Sequence, residues 1–458
     1  MDYSDFVQSK LGTESSSGIA RFAREYELFP HQRDLAAWAL RRGRAAIFAD
    51  TGLGKSRMQL AWADTVCHET KGDVLILAPL AVAEQTVAEG EEIGVSVKRV
   101  LDQSEVEPGI NITNYDRMHR FDASRFSGVV LDESSVIKHH AAKTLQTLLC
   151  AFRDTEYKLC TTATPAPNDW AELGNHAEFL GVRSRAEMLA EFFCHDGGET
   201  QTWRLKGHAR HVFWRWVASW GSLVRSPSDL GYDASAYALP PLNIHQHTVE
   251  TVHNPAHGLF PLEAQTLMER RTARRSSLVE RVRACARLVN SDFQPWIVWC
   301  DLKAEGDALT AAIDGAYQIS GSDEVEVKEA ILRDFAQRRV RVLVSKPSIC
   351  GFGLNWQHCA RMAFVGVTDS FEAYYQAVRR CWRFGQTRQV DVHVFASQQE
   401  GSVVANLRRK EADAMAMADA MCAETLDEIR FNVLGRTKDT NPYEAHHRLI
   451  IPRFLEAS

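Results

Sequence analysis

The sequence predicts an α/β protein made of two parallel-sheet units with helical additions. Short apolar runs that end in polar residues alternate with helix-patterned segments as far as about residue 180. The alternation gives way to a Trp-rich, helix-like stretch and restarts at Pro295-Trp-Ile-Val-Trp-Cys300. A continuous apolar run is what a strand buried on both faces needs, and strands alternating with helices imply a parallel sheet.

The first 20 or so residues, with Ser15-Ser-Ser-Gly18, read as a loose arm. Phe29-Pro-His-Gln32 precedes a helix from Arg33 to Leu40, and Ala45-Ala-Ile-Phe48 is a short buried strand. The helix Arg57 to Asp64 follows, with Met58, Ala61 and Trp62 on one side. Val74-Leu-Ile-Leu-Ala-Pro79 is a strand, Ala83 to Glu91 a helix, and Gly109-Ile-Asn-Ile-Thr-Asn-Tyr115 a strand with a polar end. Tyr157-Lys-Leu-Cys-Thr-Thr-Ala-Thr-Pro165 is a strand ending in hydroxyls. Residues 184–236 read as helical, Leu239-Pro-Pro241 breaks the pattern, and Leu242 to Val252 reads as a strand crossing between the units. A basic helix spans Glu263 to Val289. The second set then runs through the helix Lys303 to Ile313, the strands Val340 to Ser345 and Met362 to Val367, the helix Tyr374 to Trp382 and the strand Val390 to Phe395. The expected organisation is a first unit over 1–241 with a protrusion at about 184–236, a crossing strand and basic helix over 242–290, a second unit over 291–400, and a helical extension over 401–458.

The chemistry is densest in Phe48-Ala-Asp-Thr-Gly-Leu-Gly-Lys-Ser56. Strand, glycine-bearing turn, Lys-Ser and helix form the phosphate-binding loop arrangement. Gly52 and Gly54 let the backbone N–H groups curl around a phosphate, and the helix start adds a positive dipole end. Lys55 can reach the outer phosphates and Ser56 can ligate Mg²⁺. Ser127-Gly-Val-Val-Leu-Asp-Glu-Ser-Ser135 is an apolar run ending in two acids, 77 positions after Lys55. Acids at the carboxyl ends of parallel strands face the ligand crevice. Asp132 is then placed to hold Mg²⁺, directly or through water, and Glu133 to orient and deprotonate an attacking water.

Composition narrows the class. The chain has 458 residues, enough for two or three domains. Its 45% hydrophobic and 24% charged content is that of an ordinary globular protein. It lacks an apolar run of membrane-spanning length and a signal-peptide core. Its ten cysteines include no Cys-x-x-Cys pair, which fits a reduced cytoplasmic compartment rather than a structural zinc site. A net charge of −6 excludes a globally basic nucleic-acid binder. Local charge differs: Arg270, Arg271, Arg274, Arg275, Arg281, Arg283 and Arg287 fall on the basic helix, and Arg204, Lys206, Arg210 and Arg215 interleave with Trp203, Trp214 and Trp216. Either cluster is a DNA-backbone groove or a solvated helix face. His245 and His247 read as the solvent face of a strand.

The order of motifs resembles the Swi/Snf-type branch of the superfamily II helicase-like (DEAD/DEAH-like) ATPases, over roughly residues 28 to 396. Ala49 matches the Ala-x-Thr-Gly-x-Gly-Lys form of helicase-type loops. Phe29-Pro-His-Gln32 resembles the segment whose Gln contacts adenine. Ile76-Leu-Ala-Pro79 and Ile112-Thr-Asn-Tyr115 resemble segments that touch the DNA backbone. Thr162-Ala-Thr-Pro165, with Asn168 beyond it, resembles the family's Gly-Thr-Pro-x-x-Asn element, and Ser345 with Gly351-Phe-Gly-Leu-Asn355 the second-lobe glycine motif. Gln376-Ala-Val-Arg-Arg-Cys-Trp-Arg-Phe-Gly-Gln386 is similar to Gln-Ala-x-Gly-Arg-x-x-Arg-x-Gly-Gln, with Arg379 in place of Gly and Trp382 in place of His. Trp203 to His208 and Pro227 to Tyr232 resemble segments of compact Swi/Snf-like ATPases carried by tailed phages, which implies a bacterial host cytoplasm.

The resemblance implies two RecA-like lobes, each with a helical protrusion, facing each other across an ATP cleft. It implies Mg²⁺ and ATP held by Gln32, Thr51, Gly52, Gly54, Lys55, Ser56, Gly353 and Gln376, with Arg380 and Arg383 approaching the γ-phosphate from the second lobe. An arginine supplied across a cleft makes hydrolysis depend on closure. It further implies DNA contacts from Pro79, Thr113, Asn114, Tyr115, Thr162, Ser345 and Asn355, to which the basic helix adds Arg274 and Arg275. The expected activity is ATP-dependent movement along double-stranded DNA. The alternatives are a strand-separating or branch-migrating helicase, which needs a wedge, and an ATP-gated DNA clamp, which would show a damaged catalytic set. No membrane association is expected, and no separate acidic cluster points to a nuclease.

Overall fold

Each of the two α/β sets closes into its own parallel sheet. The computed structural model describes residues 18–79, 82–138, 143–166, 169–195, 203–249, 274–350, 355–366, 371–397 and 401–434. Gly353, Asn168, Arg270 and Arg271 lie outside the described residues.

In the first lobe the chain runs through α1 (Pro30–Arg42), β1 (Arg44–Ala49), α2 (Lys55–Thr70), β2 (Asp73–Ala78), α3 (Ala83–Glu92), β3 (Val97–Arg99) and β4 (Ile110–Asn114). It continues through β5 (Phe126–Asp132), α4 (Lys143–Ala151), β6 (Tyr157–Thr162), α5 (Leu173–Leu180) and α6 (Arg185–Phe192). The antiparallel pair β7 (Phe193–His195) and β8 (Trp203–Leu205) leads to α7 (Arg210–Trp220) and β9 (Gly221–Val224). The sheet order is β3-β4-β2-β5-β6-β1-β9, with every pairing parallel. The strand β9 lies within the stretch expected to be helical. Four residues with no alternation leave no period to read, and the strand exists because β1 offers it an edge.

Local chemistry sets the element ends. Pro30 opens α1, Gln32 Oε1 accepts from Phe29 N at 3.1 Å, and Gly43 closes the helix at φ 71° by donating to Ala39 O. Ser184 and Glu187 form a capping box at the start of α6.

The second lobe holds β10 (Leu242–Val249), α8 (Leu278–Asn290), β11 (Trp296–Trp299), α9 (Lys303–Ala312), β12 (Ala316–Ile319), α10 (Val325–Ala336) and β13 (Val342–Ser345). It is completed by α11 (Pro347–Cys350), β14 (Arg361–Phe364), α12 (Phe371–Val378), β15 (Val390–Ser397) and α13 (Gly401–Leu434). The order is β10-β15-β14-β11-β13-β12, again all parallel. Both faces are apolar: Ile297 and Trp299 enter one core, Trp296 and Val298 the other. The segment expected to cross between units is instead the edge strand β10, paired along its length with β15. Its half-exposed pattern follows from that edge position.

The end of α13 is built into the first lobe. Met421, Cys422, Ile429 and Val433 belong to that lobe's core. Arg210 pairs with Glu424 at 2.9 Å and Arg215 with Glu428 at 3.4 Å. Lys206 Nζ donates to Ala190 O and Glu191 O, and Trp214 is fully buried. Within the Trp-interleaved basic cluster, Arg210 and Arg215 therefore form a docking face for α13 and Lys206 caps the end of α6. Burying an Ile or Val side chain stabilises by roughly 1.5–3 kcal/mol, against about 0–1 kcal/mol for an exposed ion pair. The apolar seam holds this helix and the charges set its register.

Candidate nucleotide-binding and catalytic site

The carboxyl ends of β1, β5 and β6 meet, because Asp132 is in register with Thr161 and Phe48 with Thr162. Past β1 the loop turns through Gly52 (φ 91°) and Gly54 (φ 82°), left-handed conformations that a side chain rarely tolerates. A Cβ on Gly54 would also lie 2.1 Å from Gln32 Nε2. That glycine lets α1 press on the loop, where Gln32 Nε2 donates to Leu53 O at 3.1 Å. Lys55 opens α2, and its Nζ donates to Ala49 O at 2.8 Å and to Asp50 O at 3.3 Å. Burial lowers the Lys55 pKa, while Glu133, Asp50 and Asp132 pull it back up. Its charge is thus held inside the loop by groups it can leave when a phosphate arrives.

Asp132 ends β5. Its Oδ1 accepts from Glu133 N at 3.1 Å and lies 3.1 Å from Thr161 Oγ1. Burial first, and then the neighbouring Glu133, raise its pKa to about 6, with Lys55 opposing. Glu133 has φ 53°, in the left-handed region. For a residue with a side chain this costs of order 1–3 kcal/mol. The turn points its carboxylate at Thr162, whose Oγ1 donates to Glu133 Oε1 at 2.9 Å.

The second lobe supplies the facing wall. Arg380 Nη2 donates to Gln376 Oε1 at 2.8 Å, and Gln376 Nε2 donates across the cleft to Glu133 Oε1 at 3.3 Å. Burial and the adjacent Arg383 lower the Arg380 pKa to about 9, and burial lowers that of Arg383 to about 10. Both side chains stay cationic at neutral pH, in a place where positive charge is costly until an anion joins it. The cleft between the walls has a volume of about 490 Å³. Gln32, Thr51, Gly52, Gly54, Lys55, Ser56, Asp132 and Glu133 line it from one side, and Asn355, Arg380 and Arg383 from the other. Phe384 closes one end against Tyr237, with ring centroids 4.6 Å apart, and against Phe29 at 6.4 Å. Asn355 Oδ1 is buried with no hydrogen-bond partner among the described residues.

A glycine cradle, a buried lysine, a carboxylate pair and two arginines around one cleft suit a polyphosphate. The donor set also fits Mg²⁺: Ser56 and Asp132 are hard oxygen ligands in the same cleft, and a cation would relieve the strained ionisation of Asp132. Residues 31–196 match the SNF2-related domain, and residues 281–385 match the helicase conserved C-terminal domain. The chain is a Swi/Snf-type superfamily II helicase-like protein. No curated protein matches it. The matched spans contain most of the first sheet and its cleft wall, and the second lobe from within α8 through the arginine-bearing turn.

Several of the residues expected at DNA are engaged within the fold of this helicase-like chain. Thr113 is buried, and Tyr115 OH donates to Asp132 O at 2.7 Å, beneath the acid pair. Asn114 Oδ1 accepts from Arg117 N and caps the following turn. Thr162 belongs to the Glu133 contact, and Ser345 Oγ donates to Ile319 O from a fully buried position. Asn355 faces the nucleotide cleft. Pro79 is half-buried at the end of β2. Arg274 is turned inward to an ion pair with Asp301, and Arg281 is fully buried against Glu305 at 2.8 Å. Hydroxyls at strand ends and arginines on the inner side of a helix are engaged here by backbone carbonyls and carboxylates of the same chain. Arg275, Arg283 and Arg287 remain exposed.

Several cleft residues escape sequence reasoning. Tyr237 sits alone in a loop, and Phe384 has no counterpart to signal it. Beside the cleft, Arg379 does carry a signal, its departure from the family's glycine.

Proposed function

We propose that this chain couples ATP hydrolysis to movement along double-stranded DNA, remodelling DNA or protein–DNA complexes. The observation that carries the reading is the hydrogen-bond chain Thr162–Glu133–Gln376–Arg380, which crosses from the acid pair of one lobe to an arginine of the other. A carboxylate suited to handling water and a cation suited to neutralising transition-state charge are joined only when the lobes meet. Hydrolysis then depends on closure, the property a stepping motor needs.

In this reading Lys55 and the glycine loop bind the phosphates and Gln32 reads the base. Glu133 positions and deprotonates the attacking water, and Arg380 and Arg383 neutralise charge as it develops. Ser56 and Asp132 would hold Mg²⁺, which when bound spreads the charge of the phosphate oxygens. Duplex contacts come from exposed cations such as Arg275, Arg283 and Arg287, and go to phosphates, so binding is largely insensitive to sequence. The phage affinity rests on the two segments that resemble compact phage ATPases. Among the described residues no helix is long and apolar enough to cross a membrane.

The test pairs ATPase titrations against duplex DNA, single-stranded DNA and RNA with triplex displacement. Stimulation strongest with duplex, and ATP-dependent loss of the third strand from an intact duplex, is the expected result. Displacement of a strand from a tailed duplex without triplex displacement would replace this reading by the strand-separating helicase.

A further inference from the structure

Arg379 and Trp382, the two positions where the arginine motif departs from the family pattern, touch each other. The Arg379 guanidinium lies 4.8 Å from the Trp382 ring centroid and 5.2 Å from that of Tyr375. Held between two rings, it reaches across the cleft: Arg379 Nη2 is 2.8 Å from Asp50 Oδ2, in the residue that opens the phosphate-binding loop. Tyr375 OH donates to the other oxygen of the same carboxylate at 2.9 Å. That oxygen also accepts from Thr51 N at 2.6 Å, so the carboxylate both shapes the loop and binds the opposite lobe. Trp382 Nε1 donates to Pro240 O at 2.7 Å, which ties the assembly to the segment joining the lobes. The pair is nearly enclosed, with side-chain exposures of 9% for Arg379 and 18% for Asp50. Burial pushes the Asp50 pKa up, but the charge of Arg379 and the bonds from Thr51 and Tyr375 bring it below the ordinary carboxylate range.

We propose that Arg379 is a positioning residue: paired with Asp50 and braced by Tyr375 and Trp382, it sets the arginine-bearing turn against the phosphate-binding loop so that Arg380 and Arg383 enter the cleft in register. The inference rests on the ATPase reading for its kinetic consequence, but not for its structural one. Arg379 ends on the Asp50 carboxylate at the entrance of the loop rather than in the cleft. It is not among the cleft-lining residues, whereas its neighbours Arg380 and Arg383 are. Its loss therefore misplaces the catalytic arginines without removing a phosphate ligand. A misplacement of about 1 Å can cost about 10²-fold in rate.

The experiment uses the full chain with Arg379→Gly, which restores the family residue, Arg379→Lys, Asp50→Asn and the double variant. Steady-state ATPase with saturating duplex DNA should show kcat falling about 10²-fold for Arg379→Gly, at a KM within about twofold. Arg379→Lys should recover part of the rate by keeping the charge. Asp50→Asn on top of Arg379→Gly should cost less than it does alone, as expected of partners in one interaction. In parallel, amide hydrogen exchange over Thr51–Gly54 without nucleotide should quicken in Arg379→Gly. Unchanged kcat, a change confined to KM, or strictly additive effects overturn the proposal. If the unaltered chain hydrolyses no nucleotide, the ATPase reading falls and exchange decides alone: faster loop exchange upholds the positioning role, and unchanged exchange overturns it.

Discussion

The two walls of the cleft are built by different means. In the first lobe the chemical groups are placed chiefly by the backbone. Gly52 and Gly54 set the loop, Lys55 opens a helix, and Asp132 and Glu133 end a strand whose register with β6 is locked by five paired residues. In the second lobe Arg380 and Arg383 follow a short helix, and the orientation of Arg380 depends on its bonds to the carbonyl and side chain of Gln376, which in turn bonds to Glu133 of the opposite lobe. The first wall is preformed for binding, while the second is correct only while the lobes are together. Changes in the two walls should therefore fail in different ways.

The largest effects should come from the first wall. Glu133→Gln should abolish turnover while Mg·ATP stays bound, because it removes the group handling water and leaves the cradle intact. Lys55→Ala should abolish turnover by losing nucleotide affinity. Equilibrium binding of a fluorescent nucleotide separates the two, and near-normal hydrolysis by Glu133→Gln would remove the acid pair from the mechanism.

Next come the arginines. Arg380→Ala and Arg383→Ala should each lower kcat by on the order of 10³-fold, with nucleotide affinity in the open state little changed. Steady-state kinetics decide it. A raised KM at constant kcat would make both walls alike, each contributing ground-state binding.

A smaller effect concerns pH. Asp132 has its pKa raised from 3.8 to about 6 in the folded, nucleotide-free protein. The stability this protonation supplies is fully present below about 3.8 and is lost as pH rises through about 6. Asp132→Asn should accordingly raise the Tm of the nucleotide-free protein at pH 7.5 and leave it nearly unchanged at pH 4, read by differential scanning calorimetry. In the unaltered chain, Mg·nucleotide affinity should weaken below pH 6, where a proton competes for the same carboxylate. An equal Tm gain at both pH values would mean that the charge of Asp132 is not what the fold resists.

The smallest effect separates the two sides of α8 and the turn before it. Arg275→Ala should reduce the slope of log K against log salt for duplex binding by about 0.9, the value for one lost phosphate contact. Arg274→Ala should leave that slope alone and lower Tm, because its own side chain is nearly buried in an ion pair with Asp301. A flattened slope from Arg274→Ala would return that residue to the DNA surface.

The sequence by itself determined the two parallel sheets, the phosphate-binding loop, the acid pair and the arginine motif. These depend on short-range patterns: apolar runs for buried strands, glycines where φ must be positive, acids at a strand end. Tertiary structure decided what those patterns leave open. Edge position made a strand of Gly221–Val224 and moved Leu242–Val249 into the second sheet. Packing turned Arg210 and Arg215 into the seat of the helix α13, Arg274 inward to Asp301, and Arg281 into a buried ion pair with Glu305. Tyr115, Thr162 and Ser345, whose motifs suggested a nucleic-acid surface, are bonded inward by carbonyls and a carboxylate that other elements bring to them. Arg379 was visible only as an exception until Asp50, 329 residues earlier, came within 2.8 Å of it. A charged side chain has no fixed role in sequence, because its partner is chosen by which buried groups need satisfying once the chain has folded.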